Sequence, residues 1–129
     1  MESIIIEKGE ATPAIHFEPQ QGLLEIKGVS IPEDTDEFYK LLMTSLEEYV
    51  KTLELPHLDI NFKFVYINTG TSAIIAKIIK LIEQLDAEKH QIQIRWYYED
   101  GDEDMKDLGD YFGGFTALPF ETISCEEIL

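Results

Sequence analysis

The residues best placed to do chemistry stand together in Asn68-Thr69-Gly70-Thr71-Ser72. Here a strand-like run ending in Tyr66-Ile67 meets the most apolar helical pattern of the chain. A helix N-terminus presents unpaired N–H groups and a partial positive charge, so this junction suits an anion. Asn68, Thr69 or Thr71 could each act as a plain N-cap, with Gly70 permitting a tight turn. The same place is where an attached phosphate would have its largest local effect. The residue types leave the cap and the switch both open.

Other groups carry less. Asp100, Asp102 and Asp104 put oxygens at alternate positions, as a calcium loop needs. The glycine and the twelfth-position glutamate that complete such a loop are replaced by Met105 and Tyr111. Asp102 to Asp104 therefore read as acids in a first helical turn. His16, His57 and His90 lie in separate segments without ligand spacing, so no metal site is expected. Cys125 is the single cysteine and has no basic neighbour, which argues against a disulfide framework and a reactive thiol. No phosphate loop, dinucleotide fingerprint or nucleophile elbow is present, so neither cofactor nor catalytic residue is assigned. The acidic density around residues 99–110 leaves one alternative, a small acidic metal- or ligand-dependent enzyme. Another is a constitutive interaction protein that is never modified.

The elements that must position the junction follow from periodicity. Short strands are expected at residues 3–7, 15–17 and 23–27, the last two forming a hairpin and the third ended by Gly28. Asp34 and Glu37 fit a capping box for a first helix. Its stripe is Phe38, Leu41, Leu42, Leu46, Tyr49, Val50 and Leu53, and it ends before Pro56. Residues 58–64 alternate, then Val65, Tyr66 and Ile67 are apolar on both faces, as in a strand covered at its end. Ile74, Ile75, Ile78, Ile79, Ile82 and Leu85 define a second helix beginning near Thr71. A strand over 91–98, a helix from about Glu103 to Phe112 stopped by Gly113-Gly114, and a strand over 120–124 complete the chain. The tail from Cys125 to Leu129 is expected to fray. This order predicts an α/β domain spanning residues 1–129 as one unit, with a mixed sheet and about three helices. Helices on both faces would bury Trp96, Tyr97 and Tyr98 alike.

Twenty-six acidic against ten basic residues give a formal net charge of −16. That disfavours nucleic acid and anionic membrane as partners and favours a protein with a basic patch. The N-terminus has no signal-peptide pattern and no run is long and apolar enough to span a bilayer, so a soluble cytoplasmic protein is expected.

The motifs taken together resemble the SiaC-type biofilm-regulation phosphoproteins, which have a fold like the anti-sigma-factor antagonists (STAS domains). The resemblance rests on Thr12-Pro13-Ala14-Ile15, Gly22-Leu23-Leu24-Glu25-Ile26-Lys27-Gly28, Ile31-Pro32-Glu33, Tyr66-Ile67-Asn68-Thr69, Trp96-Tyr97-Tyr98-Glu99 and Leu118-Pro119-Phe120, in that order. It implies a non-enzymatic, cyclic-di-GMP-related regulator. A partner protein kinase phosphorylates a threonine, a PP2C-like phosphatase removes the phosphate, and the unphosphorylated form binds and activates a diguanylate cyclase or another target protein. Carried onto this chain, the resemblance makes Thr69 the acceptor, with Asn68 and Gly70 supporting the switch loop. Gly70-Thr71-Ser72-Ala73 departs from the serines and lysine that often follow in the family, which makes Thr71 and Ser72 alternative acceptors.

Overall fold

The computed structural model describes residues 1–52, 57–85 and 89–129. Strands β1 (Ile4–Ile6), β2 (Ala14–Glu18) and β3 (Leu23–Ser30) form an antiparallel meander. The chain then alternates through α1 (Thr35–Thr52), β4 (His57–Ile67), α2 (Thr69–Ile82), β5 (Gln91–Glu99), α3 (Glu103–Gly114) and β6 (Phe120–Cys125). From β3 onward neighbouring strands are parallel, and the sheet order is β1-β2-β3-β4-β5-β6. The expected mixed α/β architecture with three helices is present.

The sequential order decides where the helices lie. Parallel crossovers are right-handed, so a sheet that always grows in one direction sends every crossover helix to the same face. The covered face carries Leu24 and Ile26 from β3, Leu58, Ile60, Phe62 and Phe64 from β4, and Ile92, Ile94 and Trp96 from β5. These join Tyr39, Leu42 and Leu46 of α1, Ile74, Ile75 and Ile78 of α2, and Met105 and Phe112 of α3 in one core. The opposite face shows Glu25, Lys27, Asp59, Asn61, Lys63, Gln93, Arg95 and Tyr97, all half-buried. The expected double coverage is therefore corrected. Trp96 is enclosed, whereas Tyr97 lies on the open face with Lys63 Nζ 5.0 Å from its ring centroid. Pairs such as Lys63–Glu25 (3.2 Å) and Arg95–Asp59 (3.0 Å) keep that face polar and contribute little stability each.

Further corrections have local causes. In α1 the buried residues are Tyr39, Leu42, Leu46 and Tyr49, with Phe38 and Val50 of the expected stripe packed against the core, while Leu41 is 58% exposed. Tyr39 shares the helical face of Leu42, Leu46 and Tyr49, from which Leu41 is turned away, and its buried hydroxyl lies 2.7 Å from Ser30 Oγ. Asp34 does cap α1, accepting from the Glu37 N–H at 3.1 Å. Leu53 and Pro56 fall outside the described residues. Strand β3 does not stop at Gly28 but passes through it to Ser30. Gly113 does not stop α3 either; a Cβ there would lie 2.8 Å from the Phe120 ring, so the glycine serves close packing against β6. The tail does not fray: Ile128 is buried and its N–H donates to the Glu99 carboxylate at 3.1 Å.

Trp96 fixes α3 to the sheet. Its indole N–H donates to the Met105 carbonyl at 2.9 Å, and its ring lies 5.6 Å from that of Phe112. A Cβ on Gly109 would stand 2.4 Å from Trp96 Cδ1. Gly109→Ala should therefore destabilise the protein by about 1–3 kcal/mol through overpacking. A lowered midpoint in urea with an unchanged slope is the expected readout, and an unchanged midpoint would contradict this packing.

Candidate functional site

The site lies where β3 and β4 end and α2 begins. Gly28 pairs with Phe64 and Val29 with Tyr66, so Val65 is an extra residue in β4. This bulge resets the alternation, as bulges near functional sites commonly do. Tyr66 is turned outward, 59% exposed, and Ile67 inward. The expectation that Val65 to Ile67 are covered on both faces is thus corrected: the unbroken apolar run is a bulge.

Asn68 is the N-cap of α2. Its backbone is extended (φ −95°, ψ 176°) and its Oδ1 accepts from the Thr71 N–H at 2.9 Å. Its own N–H donates to the Ser30 carbonyl at 3.1 Å, and its Nδ2 donates to the Pro32 carbonyl at 3.4 Å. The helix starts at Thr69, earlier than the apolar pattern near Thr71 indicates. Asn68 takes the cap, and Thr71, two positions past the helix start, supplies the N–H that it accepts.

Thr71 is fully buried. Its Oγ1 lies 2.8 Å from Ser30 Oγ and donates to the Ser30 carbonyl at 3.0 Å. Ser30 Oγ in turn lies 2.7 Å from the Tyr39 hydroxyl. One proton arrangement satisfies all three: Tyr39 donates to Ser30, Ser30 to Thr71, and Thr71 to the Ser30 carbonyl. This chain ties α1, β3 and α2 together beneath the junction. Gly70 is not a turn residue. It lies within the helix, and a Cβ there would stand 2.3 Å from Thr35 Oγ1, so it permits the N-termini of α1 and α2 to meet.

The five residues of the motif thus separate in space. Asn68 and Gly70 build the junction, Thr71 is locked inside, Ser72 is half-buried, and Thr69 is exposed. No acid occupies the first turn of α2. A negative group on Thr69 would meet the helix dipole without an opposing carboxylate on its own turn. Ser30, Thr35 and Tyr39 were missed from sequence because they join the site only through tertiary contact. A signal for Ser30 existed, since it is a polar residue in register with the inward positions of β3.

The acidic run is structural. Asp102 caps α3, accepting from the Met105 N–H at 3.2 Å. Among the described residues no group of three or more His, Cys, Asp or Glu is placed to hold a metal ion. No helix among them is long and apolar enough to cross a membrane.

Fold and site together define a small mixed α/β protein, helices on one face, that presents an exposed threonine beside the helix cap at the ends of its parallel strands. Residues 6–125 match the SiaC family regulatory phosphoproteins, and the chain belongs to that family. It is 26% identical over 120 residues to an uncharacterized protein of Pseudomonas aeruginosa (strain UCBPP-PA14), covering 93% of this chain and 94% of that one. The crystal structure of apo-SiaC from Pseudomonas aeruginosa superposes with a TM-score of 0.84 at 24% identity, covering 97% of this chain and 100% of that one. A second match is to the structure of the diguanylate cyclase SiaD in complex with its activator SiaC, also from Pseudomonas aeruginosa. There the TM-score is 0.87 at 24% identity, over 95% of this chain and 99% of that one.

Two outcomes test the junction. Asn68→Ala should cost about 0.5–2 kcal/mol, the usual effect of losing a cap, read as a lower thermal midpoint. Burial raises the Tyr39 hydroxyl from its usual 10 to about 12, although Ser30 and Thr71 can hydrogen-bond a phenolate and pull the other way. The folded state then holds a proton that the unfolded state releases. This contribution is present in full below pH 10 and is lost as pH rises through the folded value. Its loss should reach about 1.4 kcal/mol per pH unit. Tyr39→Phe should flatten the fall in stability between pH 10 and 12, and an unaltered pH profile would contradict the assignment.

Proposed function

We propose that this chain is a non-enzymatic, phosphorylation-controlled binding module, switched at Thr69 by a partner protein kinase and a PP2C-like phosphatase in the cytoplasm. Its unphosphorylated form binds and activates a diguanylate cyclase. The observation that carries this reading is the division of labour at the junction. Asn68 supplies the cap and Thr71 the internal anchor, which leaves the Thr69 hydroxyl exposed and structurally dispensable. Membership of a regulatory phosphoprotein family and the structural likeness to a cyclase activator support it.

The physics of the switch is local. Phosphothreonine adds about −1.5 to −2 charges at pH 7. At the first position of α2 the helix N-terminus tolerates that charge, so the fold survives. A partner docked over Thr69 must instead desolvate a dianion, and binding falls. With a net charge already at −16, the overall field changes little, so the effect depends on contact.

Incubation with the cognate kinase and ATP, followed by mass spectrometric mapping, should place phosphate on Thr69 and lose it in Thr69→Ala. Thr71 should stay unmodified because its hydroxyl is enclosed. Phosphoprotein should bind the cyclase at least tenfold more weakly than unmodified protein, with the far-UV spectrum unchanged. Phosphate on Ser72 alone, or equal affinity of both forms, would overturn the reading.

A further inference from the structure

Strand β1 stands at one edge of the sheet and pairs only with β2. Its outer N–H and C=O groups have no partner among the described residues. Such an edge accepts a further strand unless charge, proline, a bulge or a covering element blunts it. Ile4-Ile5-Ile6 carries neither charge nor proline, its register with β2 is unbroken, and Ile5 is 64% exposed. Ser3 Oγ donates to the Glu18 carboxylate on the open face of the sheet, so by alternation Glu2 and Ile4 face α1. There they border a groove of ≈ 480 Å³ whose other wall is Leu41, Ser45 and Glu48 of α1. Leu41, the apolar residue that α1 leaves in water, thus stands across from β1. The charged side chains lining the groove are Glu2 and Glu48, with no lysine or arginine beside them.

We propose that the β1 edge docks an extended segment of a partner protein, added beside β1 as a new strand, with an apolar residue opposite Ile4 and Lys or Arg opposite Glu2. In strand addition the main-chain hydrogen bonds give affinity and the alternate side chains give selection. Residues directly opposite each other share a face of the sheet. The guest side chain beside Ile4 is therefore laid toward Leu41, and the one two positions along reaches Glu2 and Glu48. Charge selects this occupant over a second copy of the chain, which would bring the same acids and a net charge of −16 to the edge. A small molecule in the groove would leave the edge groups of β1 unpaired. Strands β1 and β4 are three strand spacings apart, about 14 Å, so the edge lies beyond one screening length from the strand that leads into Thr69. This surface is separate from the Thr69 switch and stays open whether or not the switch is modified.

Titration of the isotope-labelled full chain with the capped peptide Thr-Lys-Thr-Val-Thr-Lys-Thr, followed by NMR, tests this. The peptide puts valine and both lysines on one face and reads the same in both directions, so either strand polarity fits. Amide signals should shift at Ile4, Ile5 and Ile6 of β1 and at Leu41 and Ser45 of α1. Glu2→Gln with Glu48→Gln should weaken binding at least tenfold; both acids are exposed, so the fold tolerates the change. Asp104→Asn with Asp107→Asn removes the same charge from exposed positions of α3 and should leave binding unchanged. Thr69→Glu should bind as the wild-type chain does. Methylating every backbone nitrogen of the peptide keeps its charge and removes its ladder donors, and binding should be lost. The proposal is overturned by an absence of shifts at these positions with millimolar peptide, by equal binding of the methylated peptide, or by equal weakening in the α3 pair or in Thr69→Glu.

Discussion

Ser30 is the point on which the site depends. Its carbonyl accepts from the Asn68 N–H and the Thr71 hydroxyl, and its own hydroxyl meets Tyr39 and Thr71. Through one residue at the end of β3, the starts of α1 and α2 are held to each other. Buried hydroxyls left unpaired would each cost about 1–3 kcal/mol, so this arrangement persists only with every member in place. The meeting of the two helices adds a steric condition that Gly70 alone satisfies, because Thr35 occupies the space a side chain would need. Rigidity beneath the junction is what allows an exposed residue above it to be altered freely.

The sheet topology sets the wider frame. Because the strands follow one another in order, the sheet of the described residues has no point at which the order reverses, which is where doubly wound folds hold their ligands. The helices share one face and the ends of the parallel strands converge on Ser30, Asn68 and Thr69. The regulatory family to which it belongs fits that geometry, since regulation by docking needs an accessible patch and a residue whose modification changes it.

Much of this was legible in the chain. Alternation in residues 58–64 and 91–96 gave the central strands, and the isoleucine spacing gave α2, because burial on one face imposes its period on the sequence. The Asp34 cap was legible for the same local reason. The misreadings all occurred where distant residues intervened. Tyr39 was overlooked as a core position because a tyrosine needs a buried partner for its hydroxyl, and that partner, Ser30, comes from another element. Val65 looked like part of a strand covered on both faces because a bulge leaves no mark on composition. Gly113 looked like a helix stop, whereas the Phe120 ring is what demands a glycine.

The sequence by itself determined the α/β class and the strand–helix junction at Asn68-Thr69, and the motifs it shares with a family are what single out Thr69 as the proposed acceptor. Only the tertiary structure separated the three hydroxyls of that junction. Thr69, Thr71 and Ser72 are chemically alike and nearly adjacent, and local sequence cannot rank them. A helix turns about 100° per residue, so two positions along the chain is slightly more than a half-turn in space. That rotation carries Thr71 under the helix to Ser30 and leaves Thr69 in solvent.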